Sequence, residues 1–250
     1  VLIPLLVTGV VGGFLSGFFG VGGGIIMVPL LMLWAKFDQK RASATSLLAI
    51  VPTSLVGSLT YAAQSQVDVL VAVFVSIGAI VGAPFGSKLL RVLPVAVVHW
   101  VFITMMVIEA ARLLFVTDET HGSFELTIAS AVGLIGLGLL MGVASGMLGI
   151  GGGVIAVPVF MSVFGLAPLL AKGTSLLAMV PTAISGTIPN LKAGLVVLKE
   201  GLIVGVAAVA ASFGGVAVAF VLPDQLSAQL FGVLLLGVAI QSAVLRVKRK

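Results

Sequence analysis

The chain contains no cysteine. Disulfides, thiolate nucleophiles and cysteine-based metal sites are therefore excluded. Histidine is almost as scarce: His99 and His121 stand too far apart in the sequence to suggest a metal centre. Charge is thin as well, with Asp, Glu, Lys and Arg making up 8% of the 250 residues, where a soluble domain carries roughly 25%. What fills the chain is apolar, 60% of it. A soluble fold of this size has no way to hide that much apolar surface, so lipid is the expected solvent. The apolar residues come in continuous runs, which excludes the alternating pattern of a β-barrel. The expected class is an all-α polytopic membrane protein. The net charge of +5 is read as lysines and arginines of cytoplasmic loops, and no nucleic-acid partner is expected. The first apolar stretch has a counterpart inside the chain, so it is expected to stay in the fold rather than be removed as a signal peptide.

The chain is one unit written twice. "GFFGVGGGIIMVP" (Gly17–Pro29) returns as "GMLGIGGGVIAVP" (Gly146–Pro158), an offset of 129 residues. At the same offset "ATSLLAIVPTSLVG" from Ala44 returns as "GTSLLAMVPTAISG" from Gly173, and the "VLP" ending at Pro94 returns ending at Pro223. Chance does not align Pro29, Pro52 and Thr53 with Pro158, Pro181 and Thr182 without a gap. Internal repeats of this kind typify secondary transporters. The expected organisation is a first transmembrane repeat (1–116), a linker (117–126) and a second transmembrane repeat (127–250).

Each repeat divides into five apolar segments: about 1–19, 24–35, 44–63, 69–87 and 95–115, then 127–148, 153–164, 173–190, 201–221 and 225–245. Most are long enough to cross roughly 30 Å of hydrocarbon at about 1.5 Å per residue. The second of each repeat is short and begins at the glycine run. If it crosses, each half has five spans and the second half is inverted; 11 of the 13 Lys and Arg then share one side, leaving out Arg112 and Lys172. If it turns back, the halves are parallel and the split is 6 to 7. The positive-inside rule selects two inverted repeats, with both termini cytoplasmic and the acidic linker Thr117–Glu125 outside.

Gly9, Gly13 and Gly17, like Gly78, Gly82 and Gly86, have the four-residue spacing that lets membrane helices pack closely. Gly22-Gly23-Gly24 and Gly151-Gly152-Gly153 differ. Successive glycines break a helix, and irregular backbone inside a membrane survives only where protein covers it or it lines a cavity. A short helix starting after each run turns its unpaired N–H groups and its positive dipole end, about +0.5 charge, toward the break. Two such ends near the midplane form an anion site from backbone alone. The other reading is a tight crossing point with no ligand. Gly20 and Gly149 open the two runs and belong to the same candidate site.

Thr45 and Ser46, with Thr174 and Ser175, are the candidate polar companions. Their hydroxyls either satisfy their own helices or donate to an oxyanion. Pro52 and Pro181, followed by Thr53 and Thr182, are candidates for a hinge or cavity wall, because each proline frees a carbonyl one turn earlier. Lys172 either draws an anion to the mouth or snorkels to the surface. Asn190 occupies the repeat position of Tyr61 and is a candidate for the pathway. Glu109 and Arg112, three apart, are expected to pair. A loose GxGxxG-like match at Gly20–Gly23 lacks the strand a dinucleotide fold needs. No P-loop occurs, and nothing in the spans supplies the nucleophile and base or the metal ligands of an enzyme. No cofactor is expected.

"SGFFGVGGGIIMVP" and "SGMLGIGGGVIAVP", each followed by "TSLLA…VPT", resemble the TauE/SafE family of sulfite and organosulfonate exporters over nearly the whole chain. The resemblance implies a permease of the bacterial inner membrane that moves small sulfur-containing anions outward. Sulfite, sulfoacetate and related organosulfonates are then the expected substrates, with the lipid bilayer and, as an open question, a second copy of the chain as partners. A passive anion channel, or a permease for another small anion or organosulfur metabolite, remains the alternative.

Overall fold

The computed structural model describes residues 2–115 and 127–247. The Thr117–Glu125 linker and the last three residues of the tail lie outside the described residues, as does the side chain of Glu109 and with it the expected Glu109–Arg112 pair. Every regular element described is a helix: α1 (Leu2–Phe19), α2 (Gly24–Trp34), α3 (Gln39–Ala62), α4 (Val69–Val92), α5 (Val95–Phe115), α6 (Ile128–Leu148), α7 (Gly153–Ser162), α8 (Pro168–Lys192), α9 (Leu198–Val221) and α10 (Asp224–Val247). Eight are long and apolar enough to cross a membrane; α2 and α7 are the short ones.

Three helices run five residues past the expected segment ends. α3 begins at Gln39 rather than 44 because Asp38 caps it, its carboxylate accepting from the Arg41 N–H at 2.9 Å. α8 begins at Pro168 rather than 173, with proline in the first turn where its missing N–H costs nothing. α4 carries on through Lys88 and Arg91 to Val92. Lys40 and Arg41 therefore sit on the first turn of α3, and Lys172 just beyond the first turn of α8, not in loops.

The glycine ladders hold the bundle together. Cβ atoms added at Gly9, Gly13 and Gly17 would strike the α9 backbone at Val204, Ala208 and Ser212 in turn. Contacts that advance together mean that α1 and α9 run parallel. Gly78, Gly82 and Gly86 meet α6 at Ile135, Leu139 and Val143 in the same way, so α4 and α6 are also parallel. The central pair differs: Gly57 faces Leu176 while Gly186 faces Leu47, so α3 crosses α8 antiparallel. α5 packs chiefly against α10. Large apolar side chains stay exposed along outer faces, among them Val73, Ile77, Val81 and Phe85 on α4 and Val206 and Phe213 on α9. In water such a belt would drive aggregation; in lipid it carries no penalty.

α1 stops short of its neighbour. Gly17 lies against Ser212 and Val216, while α9 continues to Val221, about 8 Å further at 1.5 Å per residue. α6 stops short of α4 in the same manner, Gly146 lying against Ala83 and Ser87 while α4 reaches Val92. The two glycine breaks thus lie inside the bundle, below the ends of the helices that flank them.

Candidate functional site

Both breaks are built alike. Gly20 (φ 71°), Gly22 (82°) and Gly23 (71°) match Gly149 (71°), Gly151 (80°) and Gly152 (86°). All six lie in the left-handed region, which costs a residue with a Cβ roughly 1–2 kcal/mol. Gly20 and Gly149 end α1 and α6, each N–H bonding back to a serine carbonyl, Ser16 at 2.9 Å and Ser145 at 2.8 Å. Gly23 and Gly152 are the N-caps of α2 and α7, and neither has a side chain to cap with. In the first turns, the Ile26 and Ile155 N–H groups donate to the Gly23 and Gly152 carbonyls at 3.1 and 3.0 Å, whereas the N–H groups of Gly24, Ile25, Gly153 and Val154 have no carbonyl one turn earlier in their own helix to bond to.

The breaks touch each other. A Cβ at Gly24 would strike Gly149 O and fall 2.7 Å from Ile150 Cα, and one at Gly153 would fall 2.7 Å from Val21 Cα and 2.8 Å from Gly20 O. Two serines lace them together. Ser46 Oγ donates to Gly149 O at 2.7 Å, and its repeat partner Ser175 Oγ donates to Gly20 O at 3.1 Å. Each repeat thus closes the helix end of the other. Replacing both Ser46 and Ser175 by Ala strands two buried carbonyls at roughly 1–3 kcal/mol each. The double variant is expected to melt well below either single variant in detergent. An unchanged melting temperature would show that these bonds do not hold the breaks.

Other expected site residues are placed differently. Thr174 Oγ1 accepts from the Asp68 N–H at 2.9 Å and so serves the α3–α4 connection, whereas Thr45 Oγ1, equally buried, has no hydrogen-bond partner among the described residues. Thr53 and Thr182 donate to their own helices, at Ala49 O (2.8 Å) and Ala178 O (2.6 Å). Pro52 packs toward Gly205 of α9, whose added Cβ would fall 2.9 Å from its ring. Lys172 is buried rather than turned out to the surface: its backbone lies against Gly20, its ammonium donates to Ser227 Oγ at 3.2 Å and stands 5.9 Å from the Phe18 ring centre. Arg112 donates to Pro158 O and Ser162 Oγ at the far end of α7. Asn190 is fully buried at the end of α8, and neither side-chain atom finds a partner among the described residues. Its repeat counterpart Tyr61 instead donates to Gly17 O at 2.9 Å.

Sequence reasoning missed four residues. The hydroxyls of Ser16 and Ser145, one turn before each break, are buried without a partner among the described residues. Their signal was present, since each glycine phrase is preceded by an aligned serine. Ile50 and Met179 are fully buried and cover both runs. They also stand at the repeat offset, but apolar side chains in an apolar helix carry no mark of special use.

The family model described as "Sulfite exporter TauE/SafE" covers residues 1–113 and 134–250. The chain belongs to this family. It is a multi-pass membrane transporter, and the family is not one of enzymes. Among similar proteins is the "Probable membrane transporter protein YdhB" of Bacillus subtilis (strain 168), 29% identical over 198 residues, 77% of this chain and 81% of that one. The "Probable membrane transporter protein YunE" of the same organism is 28% identical over 216 residues, 76% of this chain and 78% of that one. No solved structure matches.

Proposed function

We propose that this TauE/SafE transporter exports small sulfur-containing anions, such as sulfite, sulfoacetate or related organosulfonates, across a bacterial inner membrane by alternating access. The observation that carries this reading is the meeting of two buried, side-chain-free helix N-termini, at Gly22–Gly24 and Gly151–Gly153. Their converging dipoles offset a negative charge, so the anion is attracted but can leave. The hydroxyls of Ser16, Ser145 and Thr45, without partners among the described residues, offer donors along the route, while Ser46 and Ser175 keep the breaks in register. Gly20 and Gly149 allow the chain to turn back beside the anion. Pro52 and Pro181 mark where α3 and α8 bend as the access side changes, and Lys172 and Asn190 stand at the two ends of that path.

Alternating access is commonly built from two repeats of inverted orientation. The antiparallel crossing of α3 with its own counterpart α8 supports that arrangement, because a two-fold relation that reverses a membrane-crossing helix has its axis in the membrane plane. So does the charge split. Reporter fusions at Lys250 and Ser123 are expected to report the cytoplasm and the outside, respectively; a shared side for both would overturn the inverted arrangement. Transport itself is tested in proteoliposomes. Saturable flux of sulfite or sulfoacetate with counterflow is the expected result. Non-saturating flux without counterflow would make the protein a channel, a reading that the closely packed Ile50 and Met179 disfavour.

A further inference from the structure

The space in front of the two short helices is filled, and filled unequally. Ile50 on α3 and Met179 on α8 are fully buried and stand at equivalent repeat positions. A Cβ added at Gly22 would fall 2.6 Å from Met179 Sδ and 3.6 Å from Ile50 Cγ2. One at Gly151 would fall 2.9 Å from Met179 Sδ and 3.2 Å from Ile50 Cδ1. Each plug also covers the first residue of its own short helix: Ile50 Cδ1 lies 2.9 Å from the Cβ position of Gly24, and Met179 Cε presses on that of Gly153. Met179 thus stands closest to both Gly22 and Gly151, while the first residue of each short helix is covered by one plug only, so an anion reaching Gly24 must displace Ile50 and one reaching Gly153 must displace Met179.

These displacements differ in cost. Isoleucine is branched at Cβ and in a helix is held to one strongly preferred χ1 rotamer, so its Cγ atoms stay in place and only Cδ1 swings, about the single remaining χ2. Methionine is unbranched, with three rotatable bonds and a soft thioether that repacks into irregular gaps. We propose that Met179 is the movable plug of an anion seat at the α7 N-terminus, and that Ile50 holds the matching seat at α2 shut, so that one of two equivalent seats binds. The inference rests on the transport reading above and narrows it. The space Met179 vacates is that of a sulfur and a methyl group, which suits a compact oxyanion headgroup and excludes bulky ones.

The test exchanges the plugs. Met179→Ile is expected to lower sulfoacetate flux by about tenfold, the scale of one to two off-rotamer side chains. Adding Ile50→Met to that variant is expected to recover most of the flux by opening the α2 seat, although total side-chain volume is scarcely changed. Full flux in folded Met179→Ile, or no recovery in the exchanged double variant, would overturn the proposal. A second measurement does not depend on transport. The chain has no native cysteine, so Met179→Cys and Ile50→Cys can each be labelled alone in membranes with the anionic reagent sulfonatoethyl methanethiosulfonate. Position 179 is expected to react faster, and sulfoacetate to slow it; sulfite is avoided because it cleaves the mixed disulfide. Faster or better protected labelling at position 50 would assign the seat to α2 and overturn the proposal. If the wild-type chain carries no sulfoacetate, the transport reading fails, and the labelling rates still decide which plug moves.

Discussion

Gly151→Ala is expected to leave a protein that inserts and folds but has lost about tenfold or more of its anion flux. The φ of 80° at Gly151 makes any Cβ there unfavourable by roughly 1–2 kcal/mol, which a ten-helix bundle tolerates. The added methyl group meets only side-chain ends, Met179 Sδ at 2.9 Å and Ile50 Cδ1 at 3.2 Å, so the fold can absorb it. It nevertheless stands beside the N–H groups that an anion would approach. Losing one hydrogen bond to a charged group costs roughly 1.5–3 kcal/mol, which is tenfold or more in affinity. Neighbouring positions make poorer tests: a Cβ at Gly20 falls 2.6 Å from the Lys172 Cα, and one at Gly24 strikes Gly149 O. Those substitutions press backbone on backbone and are expected to disturb the fold itself. Sulfoacetate uptake into proteoliposomes, beside a monodisperse elution profile, separates the two kinds of damage. Wild-type flux in well-folded Gly151→Ala would leave the glycine runs as packing devices.

Export of a singly charged anion is expected to be driven by membrane potential, with efflux from vesicles clamped at −100 mV inside favoured by about 2.3 kcal/mol over the unclamped state. That shifts the equilibrium anion ratio roughly fiftyfold, about 1.4 kcal/mol being a factor of ten. The placement of the acidic groups agrees with a mechanism that needs no ion coupling. Asp38 and Asp68 cap the starts of α3 and α4, their carboxylates accepting from Arg41 N and Val71 N. Glu200, on the first turn of α9, is bound to Arg41 at 2.7 Å. None of these three lies in the interior of a span. Potassium gradients with valinomycin set the potential, and a pH-sensitive dye follows protons. Efflux that rises with inside-negative potential and moves no protons is the expected outcome. Flux that instead requires a pH gradient at zero potential would establish proton coupling and point to Glu109, the acidic position on α5.

Much of this architecture was legible in the residues. Ten apolar segments, five in each repeat, correspond to ten helices, because a membrane helix is specified by the transfer free energy of about 20 consecutive residues, a local sum. The two helices expected to be short are the short ones, since three glycines in a row stop a helix whatever surrounds them. The ladders at Gly9–Gly17 and Gly78–Gly86 pack as their spacing implies. Helix starts were less legible: Asp38 and Pro168 extend α3 and α8 outward by capping and first-turn chemistry, which hydropathy does not register.

The sequence by itself determined the class, the duplication and the positions of the two breaks. All three depend on local composition or on comparison of the chain with itself. Only the tertiary structure decided what the breaks meet. Ser46 and Ser175 reach across to the opposite repeat, Thr174 turns to the α3–α4 connection while Thr45 has no partner among the described residues, and Lys172 is drawn inside against Gly20 and Ser227. Ile50 and Met179, each covering glycines of both distant runs, close the space in front of α2 and α7. In an apolar helix every face looks alike in composition, so which side chain faces a break is set by how the helices cross, through close packing that is specific in three dimensions.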